Sequence, residues 1–300
     1  MRAAPLANRY FDPAGLARVG NMELVARQVV EGFLTGRHRS PYHGFSVEYL
    51  DHRAYTPGDE LHNLDWKILA RTDKYYVKLF QDETNLRAYI LLDCSRSMTF
   101  ASGDVTKLQY GSFMAATLTH LMLRQNDAVG LVLFDRDIRQ YLPPKARPTQ
   151  FRRVLTLLEE AAPGSETALG PVLHGVAERI RRRGLVVLIS DLLDDPGSIA
   201  AGLQHFRHDN HEVIVFHIMD NAELTFPYER LTTFRDLEGH GRVVVNPKSL
   251  RDRYLERLHA FVDRVKLDCF DRKIDYNMVD TTQPYDLFLA QYLDKRRRLG

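Results

Sequence analysis

Cysteine is scarce in this chain. Only Cys94 and Cys269 occur, in no metal-type spacing. That excludes a disulfide-stapled scaffold and a local thiolate zinc site, and it suits a reducing compartment. Long apolar runs are missing as well. No stretch approaches the roughly 20 residues that cross a bilayer, and the opening MRAAPLANRYFDPAG has no apolar core of signal-peptide length. Charge of one sign is absent too. Forty-one basic residues meet 39 acidic ones, so no general field favours nucleic acid or an anionic membrane. Neither a G-x-x-x-x-G-K-[ST] phosphate loop nor a G-x-G-x-x-G turn is present. These absences lead to the expectation of a cytoplasmic protein with no membrane span and no nucleic-acid partner.

What is present is an alternation. Its 300 residues are enough for one large α/β domain with an attachment. Short β-rich runs begin at Ala88 (AYILLD), Asp127 (DAVGLVLF), Leu185 (LVVLISD), His211 (HEVIVFHIMD) and Lys273 (KIDYNMVD). They are nearly continuously apolar, as strands buried on both faces are. Helical spacing separates them: Phe151, Val154, Leu155 and Leu158; then Leu169, Val172, Leu173, Val176 and Ile180; then Tyr254, Leu258, Phe261, Val262 and Val265. GSFMAATLTHLML is apolar or small on almost every side and reads as a helix buried around most of its circumference. The order predicts an α/β fold, a doubly wound, mainly parallel sheet flanked by helices. LTTFRDL and RVVVN flank EGHG in the pattern of a β-hairpin insertion. Residues before about Asn85 carry turn signals rather than clear periods. The expected domains are therefore an N-terminal module of residues 1–85, packed on a sheet domain of residues 86–300.

Ligand groups in such a sheet gather at the carboxyl ends of strands. Asp93 follows AYILL, Ser95 and Ser97 come at two-residue intervals after it, and Asp191 follows LVVLIS. Thr167 lies in PGSETALG, just before a helix expected near Ala168. Together these offer two carboxylates and three hydroxyls, a donor set that suits a hard cation, Mg²⁺ or Mn²⁺. There are plainer roles for each: Ser95 or Ser97 as turn caps, Thr167 as a helix N-cap, Asp191 as a solvated strand end.

The five positions resemble the metal-ion-dependent adhesion site of von Willebrand factor A-type domains, with Arg96 standing where a Gly is common. The run from His52 to Phe80, HRAYTPGDELHNLDWKILARTDKYYVKLF, is similar to the signature of the bacterial domain-of-unknown-function family 58, as are FRDLEG, NPKSLRDRY and the stretch from Asp275. The resemblance implies an A-type domain behind a short module, and a partner in MoxR-type AAA+ ATPases or their clients. The mechanism expected from it has Ser95 and Ser97 binding the ion directly, Thr167 directly or through water, and Asp93 and Asp191 holding coordinated waters. Many relatives begin with membrane helices, for which this chain shows no segment.

Non-enzymatic, ion-bridged binding is the expected function, with an Asp or Glu of a protein partner completing the coordination. The competing class is a metal-dependent hydrolase or phosphotransferase using Asp93. Phosphatases with a D-x-D pair need a second carboxylate where this chain has Ser95. A scaffold with an empty site is a third reading. Within the upstream signature, Pro57-Gly58 reads as a turn, Asp59 as a cap, and Leu64 with Ile68 as a helical pair. Arg53, Asp59, Asp65, Trp66 and Lys67 form either a packing surface or a partner-facing one. The basic runs from Arg181 and Lys295 read as solvated helix ends. His205, His208 and His211, spaced by three, are a weak zinc pattern.

Overall fold

A computed structural model describes residues 86–235, 237, 241–285, 287–289, 291 and 292, with residues 22, 26, 27, 30, 51–55, 68, 70, 71 and 74–79 of the N-terminal region. The expectations for Pro57, Gly58, Asp59, Leu64, Asp65, Trp66 and Lys67, and for the basic run from Lys295, lie outside the described residues. The chain divides into two compact units, residues 41–85 and residues 1–40 with 86–300. In the smaller unit, β1 (Asp51–Ala54) pairs antiparallel with β2 (Tyr76–Leu79). The expected module of residues 1–85 is thereby divided. Met22, Ala26 and Val30 stand four apart on a helical stripe; Ala26 is buried in the core of the larger unit, with Met22 packed against it.

The larger unit is built from β3 (Arg87–Asp93), α1 (Lys107–Arg124), β4 (Ala128–Phe134), β5 (Ile138–Lys145), α2 (Pro148–Glu159), α3 (Leu169–Arg179), β6 (Leu185–Ser190), α4 (Pro196–His208), β7 (Glu212–Met219), α5 (Asn221–Thr225), β8 (Thr232–Arg235), β9 (Arg242–Val245), α6 (Pro247–Asp271) and β10 (Asp275–Asp280). Its main sheet runs β10-β7-β6-β3-β4-β5, with every pairing parallel except β4 with β5. The five apolar runs are thus the five parallel strands. Strand β5 was not expected. Its sequence IRQYLPPK carries two prolines, which a central strand excludes; it forms at the sheet's edge, where a missing N–H costs little. The expected hairpin is β8 paired with β9, a separate two-stranded ribbon.

Alternation along β3 sends Ala88, Ile90 and Leu92 into one core and Tyr89 and Leu91 into the other. The first core holds the buried residues of α1 and α2; the second holds those of α3, α4 and α6. Helix α1 lies close on the sheet because Gly111 leaves room: a Cβ there would stand 2.9 Å from Leu92 Cδ1 and 3.1 Å from Ile189 Cγ2. Two layers of helix therefore enclose β3 and β6, and only the strand ends can present polar groups to a ligand.

Candidate functional site

Strands β3 and β6 are parallel neighbours, with Leu92 opposite Ile189, so both chains emerge at one edge. Asp93 ends the first, and Ser190 ends the second with Asp191 just beyond. All three are fully buried. Asp93 Oδ2 accepts a 2.6 Å hydrogen bond from Ser190 Oγ, and its Oδ1 accepts the Ser95 N–H at 2.8 Å. Ser95 Oγ lies 3.0 Å from Ser97 Oγ. The chain then enters a 3-10 turn, Arg96–Thr99, whose N-cap Ser95 makes no side-chain capping bond. The turn-capping role for these hydroxyls is therefore not used.

Thr167 sits in a loop tied on two sides. Gly164 N–H donates to Cys94 O at 2.7 Å, and Arg96 N–H donates to Ser165 O at 3.1 Å. On the far side, Asp194 Oδ2 accepts the Leu169 N–H at 2.7 Å, and so caps α3 from a different segment. Ala168, not Thr167, is the N-cap residue of that helix. Thr167 Oγ1 is buried and has no hydrogen-bond partner. Asp135 holds the same loop, accepting the Ser165 N–H at 3.1 Å, and Gly164 has no room for a side chain because its Cβ would meet Asp135 Oδ2 at 1.9 Å. The chain after Asp191 turns sharply through Leu192, a buried non-glycine residue at φ 54°. Backbone of that kind gathers at functional loops.

Sequence reasoning missed the cation of this site. Lys107, fully buried at the first position of α1, places Nζ 2.8 Å from Asp191 Oδ2 and 2.7 Å from Glu223 Oε1. Burial works against its charge, but the two carboxylates outweigh burial and its pKa is raised. Glu223 also accepts the Asp220 N–H at 2.8 Å, in the capping box of α5. Two local capping signals accompany the lysine in the sequence, T-x-x-Q spanning it at Thr106–Gln109 and D-x-x-E after a strand at Asp220–Glu223, but neither announces the ion pair. Burial, then the charge of Asp191, pushes the Asp93 carboxyl up to about 7. His217, buried on β7 next to this edge, is held down to about 4 by burial. Cys94 is free and buried, its thiol pushed up to about 12 by burial and then by Asp93, so it supplies no thiolate near neutral pH.

The donor set fits a small divalent cation. Asp93 and Asp191 leave the sheet at one edge, Ser95 and Ser97 follow Asp93, and the Thr167 hydroxyl is buried without a partner, a state that costs free energy unless a ligand relieves it. Among the described residues no cluster of three or more His, Cys, Asp or Glu could hold a metal. Any ion here would therefore depend on the hydroxyls. The triad of histidines does not assemble. His205 Nδ1 faces His174 Nδ1 at 3.0 Å, whereas His211 Nδ1 accepts the Gly184 N–H at 3.1 Å. Arg181, Arg182 and Arg183 are exposed just past the end of α3. Arg96 is exposed too, its Nη1 3.5 Å from Leu237 O in the turn of the hairpin.

The family model described as Protein of unknown function DUF58 matches residues 51–261. Uncharacterised proteins of Mycobacterium bovis and Mycobacterium tuberculosis are 26% identical over 220 residues, covering 72% of this chain and 68% of theirs. Among solved structures, the conserved hypothetical protein BatB from Bacteroides thetaiotaomicron is similar with a TM-score of 0.50 and 18% identity, over 71% of this chain and 99% of that one. An aerotolerance-related membrane protein from Bacteroides fragilis also gives 0.50, at 21% identity, over 70% of this chain and 99% of that one. The VWA domain of SpRpn10 is similar at a TM-score of 0.40 and 13% identity, over 69% of this chain and 95% of that one. The likenesses to the two Bacteroides proteins are of fold alone, and the fold is a mainly parallel sheet flanked by helices. No described helix is long and apolar enough to cross a membrane.

Proposed function

The chain belongs to the DUF58 family, and from that premise we propose that it is a non-enzymatic protein-interaction module whose binding depends on a divalent ion, Mg²⁺ or Mn²⁺. One observation carries the reading: Thr167 Oγ1 is buried and unpaired in a loop braced against both the Cys94–Arg96 segment and Asp194. In a protein interior such an oxygen is costly unless something binds it. Ser95, Ser97 and Thr167 would hold the ion, and Asp93 and Asp191 would orient its waters and balance its charge. When bound, the ion supplies an electrophilic centre that an outside carboxylate can reach. An acidic side chain of a protein partner is the natural ligand, and a MoxR-type AAA+ ATPase or its client is the partner we propose, acting with the chain as accessory or adaptor. Arg96, exposed beside the site, can pair with a second acid.

Use of Asp93 as a nucleophile has less support. Both of its oxygens already accept hydrogen bonds, from Ser95 N and Ser190 Oγ, and the residue has no exposed surface. The test is thermal unfolding with Mg²⁺ and with chelator, in wild type and in Asp191→Ala. An ion that binds only the native state raises the midpoint by mass action, and the variant should lose that rise yet stay folded, because Glu223 keeps Lys107 paired. A rise unchanged in Asp191→Ala moves the ion elsewhere, and no rise in wild type leaves a scaffold with an empty site. With a partner in hand, chelator and Ser97→Ala should weaken the complex by losses that do not add, since they remove one interaction.

A further inference from the structure

The two site carboxylates are not equally free. Asp93 has both oxygens committed, to the Ser95 N–H and to Ser190 Oγ. Asp191 has one oxygen committed: Oδ2 takes the Lys107 ammonium at 2.8 Å, while Oδ1 has only a long 3.4 Å approach from the Leu193 N–H. Lys107 cannot swing away. It is fully buried, it opens a helix whose N-terminus is held by the Thr106–Gln109 capping box, and its second carboxylate, Glu223, is fixed by the capping box of α5. The ring of Phe100 lies 5.9 Å from Nζ. A cation is thus built into the wall of a site proposed to take another cation.

Resting on the metal-binding reading above, we infer that Lys107 is a specificity-determining residue: by holding Oδ2 of Asp191 it keeps that carboxylate on the ion's waters, where it cannot move in to clasp the ion with both oxygens, and so selects a small octahedral ion over Ca²⁺. Ca²⁺ takes six to eight oxygens and uses bidentate carboxylates readily, whereas Mg²⁺ keeps several waters and accepts single oxygens in a strict octahedron. Fully ionised, Asp93, Asp191 and Glu223 carry three negative charges against one ammonium, so a divalent ion that displaces any proton from them brings the set to neutrality. Without the lysine, the same ion would leave one negative charge uncompensated and Asp191 free to clasp with both oxygens. The ammonium therefore lowers total affinity and sharpens choice, and it also preserves the positive character that an acidic partner side chain would meet.

The experiment uses the full chain with Mg²⁺, Mn²⁺ and Ca²⁺ themselves as probes, by titration calorimetry and Mn²⁺ electron paramagnetic resonance. Wild type should bind Mg²⁺ and Mn²⁺ in preference to Ca²⁺. Lys107→Met, close in length and uncharged, should lower the midpoint in chelator yet raise Ca²⁺ affinity relative to Mg²⁺ by about tenfold, the scale of changes made just outside a metal's own ligands. Affinity for divalent ions as a whole should rise in Lys107→Met, which removes the competing charge, and fall in Glu223→Gln, where the ammonium is left to Asp191 alone. A purely structural lysine would not produce opposite signs in the two variants. An unchanged Ca²⁺ to Mg²⁺ ratio in Lys107→Met, a wild type that prefers Ca²⁺, or shifts of the same sign in both variants would overturn the inference while leaving the metal site standing. A wild type that binds none of the three ions overturns both. If Lys107→Met does not fold, Glu223→Gln decides alone: unchanged affinity there sinks the idea.

Discussion

At the scale of single residues, the informative atom is Thr167 Oγ1. Helix capping was the plain explanation for a threonine at that place, but Asp194 takes the first N–H of α3 instead. The hydroxyl is left buried and unpaired. Thr167→Val keeps the shape and removes only the polar atom. In chelator its stability should be unchanged or raised by up to about 1 kcal/mol, since an unsatisfied buried group costs on that order. In Mg²⁺ the ion-dependent gain should shrink. Urea titrations in the two buffers check both, and an equal Mg²⁺ gain in variant and wild type would remove Thr167 from the site. Asp93, Ser95 and Ser97 were legible because D-x-S-x-S is local and follows an apolar run. Lys107 was not, because its meaning lies in two partners more than 80 positions away, Asp191 by 84 and Glu223 by 116.

At the scale of elements, the site is held by exchanges between helix ends and loops. Helix α3 has no side-chain cap of its own and borrows Asp194, whereas α4 begins with Asp195 as its own cap and Pro196 at its first turn. The same short acidic segment thus caps the N-termini of two helices. Asp194→Ala should cost about 1 kcal/mol, the usual worth of a cap, read by denaturant unfolding in chelator. It should also weaken the Mg²⁺ response, because the loop bearing Thr167 loses its anchor on the Asp194 side. A variant with the cap's cost but a full Mg²⁺ response would show that the anchors at Cys94, Arg96 and Asp135 are sufficient. The turn after Asp191 is strained at Leu192, with φ 54°.

At the scale of the whole molecule, the buried ionisable groups set opposing responses to pH. His217, Nδ1 2.7 Å from the Tyr276 hydroxyl, is held at about 4 by burial against an ordinary 6.5. Between those values the unfolded chain binds the proton and the native one does not, so this group's contribution falls as pH drops from 6.5 toward 4. At the low end the loss is roughly 3 kcal/mol. Asp93 has the reverse sign. Its carboxyl stands at about 7 in the fold against an ordinary 3.8, so the native state holds the proton and stability falls as pH rises through that range. The two offset in wild type over their shared range. His217→Gln, which keeps a partner for Tyr276, removes only the first. Its stability relative to wild type, measured in chelator, should climb steadily as pH is lowered from 6.5 to 4. A difference that stays constant would mean that the imidazole titrates as a free one.

The sequence by itself determined most of the architecture, though not the edge strand β5: five parallel strands from five apolar runs, helices between them, and the hairpin after Glu223. Those follow from periodicity, which is local, because a strand buried on both faces and a helix buried on one impose their spacing on neighbouring residues. It also put Asp93 and Asp191 after strands, which made their common edge legible once the sheet was taken as parallel. Only the tertiary structure decided what those carboxylates touch. Ser190 reaching Asp93 across 97 positions, Lys107 bridging Asp191 and Glu223, and Ala26 joining the core of a sheet that begins at Arg87 are pairings between separate periodic segments. Hydrogen bonds and ion pairs act over a few ångströms and carry no period, so nothing in either partner's own stretch of chain announces the other.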